Sequence, residues 1–416
     1  GEFAEKPRYQ GGGSSHINPF RVVSALDAAG EKGRSVTYAK GFSNENDSMT
    51  EQELEKALRT AAEADVAVIF AGLPEIFESE GYDRTSMKLP KCQDRLIEEV
   101  LKVQPNVVVV LHNGSPVELP WADRVSAILE MYLGGQGVGE ACDRLLFGEA
   151  NPSGRLSETF PYRLEDNPSF LHFPGNGKRV LYGEDIFVGY RYYDTKKVPV
   201  RYAFGHGLSY TEFTYGDLTL SSAQMTDEDI LTVSLKVKNS GKTEGKEVVQ
   251  LYVADLCGIS ERPVKELKGF AKVHLLPGEE KTVSMEISAR NLSYYEERLG
   301  DWYAPSGTYR ILIGHASDDI RLHADVVFET KKKLPLRVDF TTTFGELLDH
   351  TKTAPVITEL LAPLAAAAAS AEGMSDEYKK LGEQVIREMP LKSLLGQMPG
   401  EQVEQLIGQL NCLLAQ

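Results

Sequence analysis

Three short apolar runs constrain the fold of this chain more than any other feature of its sequence. They are Ala67–Gly72, Val107–Leu111 and Ala127–Leu133. A run without polar alternation is typical of a strand that is buried on both faces, as in a parallel sheet. Helical patterns fill the gaps, and Thr50 with Glu53 forms a capping box before one of them. Strands that alternate with helices predict a three-layer α/β sandwich with a mainly parallel sheet.

The pattern changes twice along the chain and so predicts four regions. The α/β sandwich takes residues 1–161, and an aromatic, glycine-rich stretch without periodicity, 162–212, is predicted to be a connector. Residues 213–330 contain alternating segments such as Leu231–Lys238, which predict an all-β fibronectin type III-like sandwich. Residues 331–416 return to a helical period and predict a small helical C-terminal region, with a dimerisation element as the alternative.

Charge and composition exclude several classes of function. The 416 residues carry a net charge of −16, and a polyanionic surface disfavours nucleic acid and anionic membrane as partners. The apolar run Leu360–Ala369 is interrupted by Pro363 and is too short to span a bilayer. Neither the eight histidines nor the four scattered cysteines have the spacing of a metal or redox site. We therefore expect no metal and no cofactor, and we expect a reducing, cytoplasmic location.

Two glycine-rich segments invite a nucleotide-binding interpretation. Gly134–Gly139 follows an apolar run, but Glu140 stands where a dinucleotide-binding turn needs its third small residue, and its carboxylate would repel a pyrophosphate. A tight strand-to-helix turn is the favoured interpretation. Gly11–Gly13 lacks the lysine of a phosphate loop. It is better explained as backbone that lets another domain or a sugar approach.

An acidic segment, Glu75–Arg84, follows the first apolar run. The end of a strand in an α/β sheet is where ligands usually approach. Glu75, Glu78 and Glu80 precede Gly81, and like charges held close together disfavour complete ionisation. One carboxyl group is then expected to stay protonated near neutral pH, as a general acid requires. The alternative is a solvated acidic loop.

Within this segment, Ser79–Arg84 resembles the acid/base motif of the family 3 glycoside hydrolases, which include β-glucosidases. Further segments resemble that family in the same order along residues 1 to 330. They are Gly11–Pro19, Asn151–Leu156 with Phe160–Pro161, Glu184–Tyr193, and Phe204–Tyr210.

The resemblance implies retaining hydrolysis of β-linked glucosides, in which one carboxylate attacks the anomeric carbon and a second group protonates the departing oxygen. Glu80 takes the acid/base role in the family pattern, and Glu78 and Glu75 are weaker candidates. Asp83 and Arg84 are expected to orient the loop through a local ion pair. No substrate-binding residue is assigned.

One departure from the family pattern limits this prediction. In the family, the nucleophilic aspartate lies on a separate barrel domain that is normally N-terminal, and such a barrel needs about 250 residues. We find no barrel segment here and expect a C-terminal portion whose partners are the missing barrel domain and a β-glucoside or oligosaccharide substrate. The alternative is a non-catalytic carbohydrate-binding or interaction module. Association into a homo-oligomer is left open.

Aromatic side chains and one histidine have two interpretations each. The cluster at Tyr190, Tyr192 and Tyr193 is expected to pack between domains rather than stack on sugars. Trp121 and Trp302 are candidate sugar platforms, although Trp121 is expected to pack at a helix start. Most histidines are expected to be structural or solvated, and His16, after the glycine run, is the one to test.

Overall fold

The computed structural model describes residues 1–258, 261–369 and 376–415. These residues belong to two compact units. The first unit comprises Gly1–Leu292 and Ala304–Thr330, and the second comprises Ser293–Tyr303 and Lys331–Gln416.

The first unit begins with the α/β layers. Its elements are α1 (Ala25–Glu31), α2 (Glu51–Ala62), β1 (Ala67–Gly72), α3 (Lys91–Val100), β2 (Val107–His112), β3 (Ala127–Glu130) and α4 (Val138–Leu146). The strands form a parallel sheet in the order β1-β2-β3. Helix α1 contacts α4 and α2 contacts α3, and the buried faces of α2 and α3 join the sheet in one hydrophobic cluster. The predicted α/β architecture is confirmed.

Local chemistry explains where these elements begin and end. Thr50 and Glu53 form the predicted capping box of α2, which satisfies two of the backbone N–H groups that a helix start leaves unpaired. Strand β3 ends at Glu130, three residues earlier than predicted, and Tyr132 has a φ of 48°, which a strand does not accommodate. The first residues form a short 3-10 helix at Glu2–Ala4.

The segment after α4 contains β4 (Phe160–Pro161), α5 (Tyr190–Lys196) and β5 (Val200–Tyr202), and β4 pairs with β5. Helix α5 was not predicted. Its Tyr190 stacks on Phe204 at 4.7 Å between ring centroids and accepts a hydrogen bond of 2.7 Å from the backbone N–H of Leu267 in the β-sandwich. This geometry favours the interdomain-packing interpretation of the tyrosine cluster.

Strands dominate residues 213–329, which lie in the first unit except for Ser293–Tyr303. The next elements are β6 (Phe213–Leu220), β7 (Gln224–Thr226), β8 (Ile230–Asn239), β9 (Gly245–Asp255), β10 (Glu266–Leu275), β11 (Glu280–Ser288), α6 (Ala289–Leu292), β12 (Tyr294–Glu296), β13 (Asp301–Tyr303), β14 (Gly307–Ala316) and β15 (Asp319–Glu329). Sheets of order β10-β9-β14-β15-β7 and β11-β8-β6 share one hydrophobic cluster. The fibronectin type III-like prediction is confirmed.

A buried ion pair joins the α/β layers to this sandwich. Glu247 is fully buried and lies 2.8 Å from Arg155. Its carboxylate also accepts a hydrogen bond of 2.7 Å from the Tyr215 hydroxyl and lies 2.8 Å from Nδ1 of His315. A charge removed from water in this way needs all of these partners.

In its described residues, the second unit holds the β12–β13 hairpin and the helices α7 (Phe344–Asp349), α8 (Ala354–Ala369), α9 (Asp376–Glu388) and α10 (Gly400–Ala415). Thr343 and Glu346 form the capping box of α7. Val403 and Leu410 of α10 are buried in the cluster of this unit, so the predicted helical C-terminal region is confirmed. The predicted domain boundaries stay a prediction.

Among the described residues, no helix combines the length and apolar character that crossing a bilayer requires. In the same part of the chain, no group of three or more histidine, cysteine or acidic side chains is arranged to hold a metal ion.

Candidate active site

The carboxyl ends of the three parallel strands lie at one edge of the sheet. Strand β1 ends at Gly72, β2 at His112 and β3 at Glu130, so the loops that follow them leave from the same edge. The side chain of buried Gln93 holds the end of β1 with two hydrogen bonds to Gly72, of 2.8 and 2.9 Å. The acidic segment thus starts from a fixed point at the edge where ligands approach α/β sheets.

The glycine run near the start of the chain packs directly against the acidic segment. The backbone N–H of Glu80 donates to the carbonyl of Gly12 at 3.4 Å. A Cβ on Gly12 would lie 2.6 Å from the Ser79 hydroxyl, and a Cβ on Gly13, whose φ is 97°, would collide with the Glu80 side chain. Glycine is needed here because the two backbones approach closely. The sequence suggested that this glycine run lets another domain or a sugar approach. In this chain, the acidic segment is what packs against it.

Glu80 lies at the exposed tip of this contact. Its carboxylate accepts a hydrogen bond from the backbone N–H of Ser14, and hydrogen bonding to Ser14 lowers the pKa of Glu80. Among residues 1–258, 261–369 and 376–415, no ion pair involves Glu80. The carboxylate is thus oriented by the chain but is still open to solvent.

Glu78, two residues earlier, is in the opposite environment. Its carboxylate accepts hydrogen bonds from Arg8 at 2.6 Å, from the N–H of Gly114 at 2.8 Å and from the Ser115 hydroxyl. Burial disfavours its charged form, but these donors lower the pKa of Glu78 below its usual value. Arg8 also donates to the carbonyls of Leu73 and Glu78. Glu78 is therefore an internal anchor of the loop, which weakens it further as a catalytic candidate.

The prediction of an ion pair between Asp83 and Arg84 is wrong. The Arg84 guanidinium instead turns inward and donates to Ser115 Oγ at 2.7 Å and to the carbonyl of Pro116 at 2.9 Å. Its Nη1 also lies 4.0 Å from the Glu78 carboxylate. Asp83 is exposed, and no ion pair between it and Arg84 occurs in the described part of the chain. Arg84 thus fastens the acidic segment to the loop after β2.

Carboxyl groups with raised pKa values occur beside the acidic segment rather than on it. Burial raises the pKa of Glu130 to about 8, and burial followed by the charge of Glu78 raises the pKa of Glu158 to about 7. The crowding argument made from sequence fails for Glu78 and Glu80 because one carboxylate turns to Arg8 and the other to Ser14. Sequence reasoning missed Glu130 because it reads as the interior of a strand.

An open depression of about 500 Å³ lies on the acidic segment. Its lining residues are Asn44, Glu45, Glu75, Ile76, Ser79 and Tyr82. The Tyr82 hydroxyl donates to the carbonyl of Glu75 at 2.9 Å, and Nδ1 of His16 lies 3.9 Å from the Glu75 carboxylate. Polar groups beside a half-exposed aromatic ring suit the rim of a sugar site.

Two other sequence candidates have structural explanations. Trp121 is fully buried, and its Nε1 donates to Asp94 at 2.9 Å, so it is no sugar platform. The run Gly134–Gly139 connects β3 to α4, and a Cβ on Gly139 would collide with the backbone of Ser24. These glycines serve a turn and close packing at the start of α1, as the favoured interpretation predicts.

Comparisons with known proteins agree with this geometry. The Glycosyl hydrolase family 3 C-terminal domain matches residues 1–210, and a Fibronectin type III-like domain matches residues 247–317. Thermostable beta-glucosidase B of Acetivibrio thermocellus is 46% identical over 418 residues, covering 99% of this chain and 55% of that protein. An exo-alpha-(1->6)-L-arabinopyranosidase of Bifidobacterium breve is 39% identical over 417 residues, covering 100% and 53%.

A solved structure shows the same likeness in three dimensions. The crystal structure of a GH3 beta-glucosidase from Bifidobacterium adolescentis has a TM-score of 0.79 and 39% identity, covering 86% of this chain and 52% of that one. The chain spans about half the length of these relatives. With a family match over residues 1–210 and a closely similar fold, the chain belongs to glycoside hydrolase family 3.

Proposed function

We propose that this chain supplies the acid/base half of the active site of a retaining glycosidase that acts on β-linked glucosides, with Glu80 as the acid/base. The observation that carries the proposal is the contrast between two neighbouring carboxylates. The Glu78 carboxylate accepts hydrogen bonds from donors inside the chain, whereas the Glu80 carboxylate is oriented by hydrogen bonding to Ser14 and is exposed. A group that must exchange a proton with a substrate has to be held and yet accessible.

The two chemical steps place different demands on Glu80. In the first, its carboxylic acid gives a proton to the glycosidic oxygen while a nucleophilic carboxylate bonds to the anomeric carbon; the bond between that carbon and the glycosidic oxygen breaks, and the aglycone leaves as an alcohol. In the second, the Glu80 carboxylate takes a proton from the water that displaces the nucleophile. The Ser14 N–H stabilises the carboxylate formed in the first step. A sugar and a second domain that covered Glu80 would remove water and favour the protonated form before that step.

The nucleophile belongs, in this proposal, to another domain. The described residues form a three-stranded parallel sheet and a β-sandwich but no eight-stranded parallel barrel. Beta-glucosidases among the relatives support a β-glucoside substrate. Hydrolysis of a terminal L-arabinopyranoside is a second candidate, because the arabinopyranosidase match also spans the whole chain. A non-catalytic carbohydrate-binding module is the alternative from a different class.

The test uses a chimera that joins this chain to the part of the Acetivibrio thermocellus relative outside the matched region. Glu80→Gln should slow hydrolysis of an alkyl β-glucoside by about 10²–10⁴-fold. A dinitrophenyl glucoside should suffer less at the glycosylation step, because its leaving group departs without protonation. The control is Glu55→Gln, an exposed glutamate of α2, which should change the rate little. Unchanged hydrolysis of the alkyl glucoside by Glu80→Gln would contradict the proposal.

A further inference from the structure

The segment between β4 and α5 exposes an unusual amount of apolar surface. Between residues 170 and 188, Leu171 is 86% exposed, Tyr182 80%, Leu181 65%, Val180 52% and Phe173 51%. We call the exposed apolar side chains of residues 170–188 the connector face. Single exposed apolar residues are ordinary, but a contiguous group of them marks an interaction site.

The backbone of this segment is folded, so the exposure does not come from an extended chain. His172 N–H donates to the carbonyl of Ser169 at 2.9 Å, and Phe187 N–H donates to that of Glu184 at 2.9 Å. Gly183 lies so close to the His172 ring that a Cβ would collide with it. The segment therefore folds back on itself, held by local bonds.

The apolar side chains of the connector face nonetheless join no core. Among the described residues, none of the hydrophobic clusters includes a member of the range 170–188. Burial of apolar surface is the main favourable contribution to folding and association. A segment with a fixed backbone whose apolar side chains stay in water is suited to bind a partner through those side chains.

Two hydrogen bonds link the start of the segment between β4 and α5 to the loop that contains Glu80. The N–H of Leu164 donates to the carboxylate of Glu118 at 3.3 Å, and the N–H of Glu118 donates to the carbonyl of Met87 at 2.8 Å. Met87 closely follows Arg84 at the end of the acidic segment. The segment that carries the connector face is thus linked, through Glu118, to the loop between β1 and α3 that also contains Glu80.

We propose that the connector face is the docking surface for the domain that carries the nucleophile, namely the part of the family 3 relatives beyond the half that this chain matches. The inference rests on the proposed function, because it names the surface that completes the same site. The relatives' additional length supplies an occupant of domain size. Charged residues between the apolar groups, such as Lys178, Arg179 and Glu184, suit the polar rim of an interface.

Hydroxyl-radical footprinting of the 416-residue chain and of the chimera tests this directly. Oxidation of Leu171 and Tyr182 should fall at least about five-fold in the chimera, because an interface core excludes water. Leu276 and Phe270 of the β-sandwich, 51% and 69% exposed, are the controls and should react equally in both. Equal oxidation of the connector face in both proteins would overturn the proposal. Protection already present in the 416-residue chain and lost on dilution would also overturn it, since a second copy would then be the occupant.

Charge substitutions test the energetic importance of the face. In the chimera, the double variant Leu171→Asp/Leu181→Asp should lower kcat/KM at least about ten-fold, and the control Leu276→Asp should not. In the 416-residue chain the double variant should leave the unfolding midpoint unchanged, since both side chains are already exposed. Unchanged kcat/KM would overturn the proposal. The chimera with Glu80→Gln should keep the full footprint, so a failed acid/base assignment is distinguishable from a failed docking surface.

Discussion

The ion pair between Glu78 and Arg8, which holds the acidic segment in place, gives the prediction whose magnitude is best defined. Glu78→Gln removes the charge that pairs with Arg8, whose side chain is 7% exposed against 17% for Glu78. A hydrogen bond to a charged group contributes about 1.5–3 kcal/mol. The amide introduced by Glu78→Gln carries no charge, and its NH₂ group faces donors that the carboxylate of Glu78 accepts from. Breaking a buried pair by removing one partner costs about 3–5 kcal/mol. Because Glu78 keeps some exposure, we expect a loss of about 3 kcal/mol in the free energy of unfolding.

Urea unfolding of the 416-residue chain measures this loss. The fluorescence of buried Trp121 reports on the α/β layers, and Trp302→Phe removes the other tryptophan. The matched control is Glu80→Gln, which should change the free energy of unfolding little, because Glu80 is exposed.

The pH dependence supplies an independent check. The folded-state pKa of Glu78 is lowered, so its stabilisation is present above the ordinary glutamate pKa of about 4.3 and is lost as the pH falls through the folded-state value. The difference between Glu78→Gln and the unchanged chain should therefore shrink in acid. Equal losses for Glu78→Gln and Glu80→Gln would refute the reasoning, as would a Glu78→Gln loss that acid leaves intact.

Three further predictions concern the same unit. The pKa of Glu130 is raised to about 8, so the neutral form is favoured in the fold, and stability is lost as the pH rises through that value. Glu130→Gln should therefore unfold at higher urea than the unchanged chain near pH 9 but not near pH 4. Gly13→Ala should lower kcat/KM of the chimera by displacing Glu80, and more than Gly33→Ala does, since Gly33 also has a positive φ but open space around it. Glu247→Gln should cost about 3–5 kcal/mol in urea unfolding, because its buried arginine partner at 2.8 Å loses its counter-charge.

The sequence predicted elements well where a single pattern dominates. Strand β1 occupies the predicted Ala67–Gly72, because a fully apolar run bounded by glycine has one stable place, inside a parallel sheet. Helix α5 was missed because its tyrosines pack against different neighbours and leave no helical stripe. Such elements are determined by tertiary contacts rather than by periodicity.

From the sequence, the site could be predicted only through the motif Ser79–Arg84. The resemblance selects Glu80, and that assignment stays a prediction. The sequence contained no signal for Arg8, which reaches Glu78 from 70 positions away, or for the raised pKa of Glu130, which depends on burial at the sheet edge. Glu78 is half-buried against hydrogen-bond donors, and Glu80 is exposed. This difference depends on the direction in which each side chain points, which the sequence does not give. The cytoplasmic location also stays a prediction, and homo-oligomer formation stays open.

Azide rescue of the chimera with Glu80→Ala tests the central claim most directly. Without its base the enzyme should hydrolyse the glycosyl intermediate slowly, but azide needs no deprotonation to displace the nucleophilic carboxylate from the anomeric carbon. We predict that azide accelerates turnover of a dinitrophenyl β-glucoside by Glu80→Ala and gives the β-glucosyl azide, whereas Glu78→Ala forms none. Turnover by Glu80→Ala at the unmutated rate without a response to azide, or azide product from Glu78→Ala instead, would contradict the account.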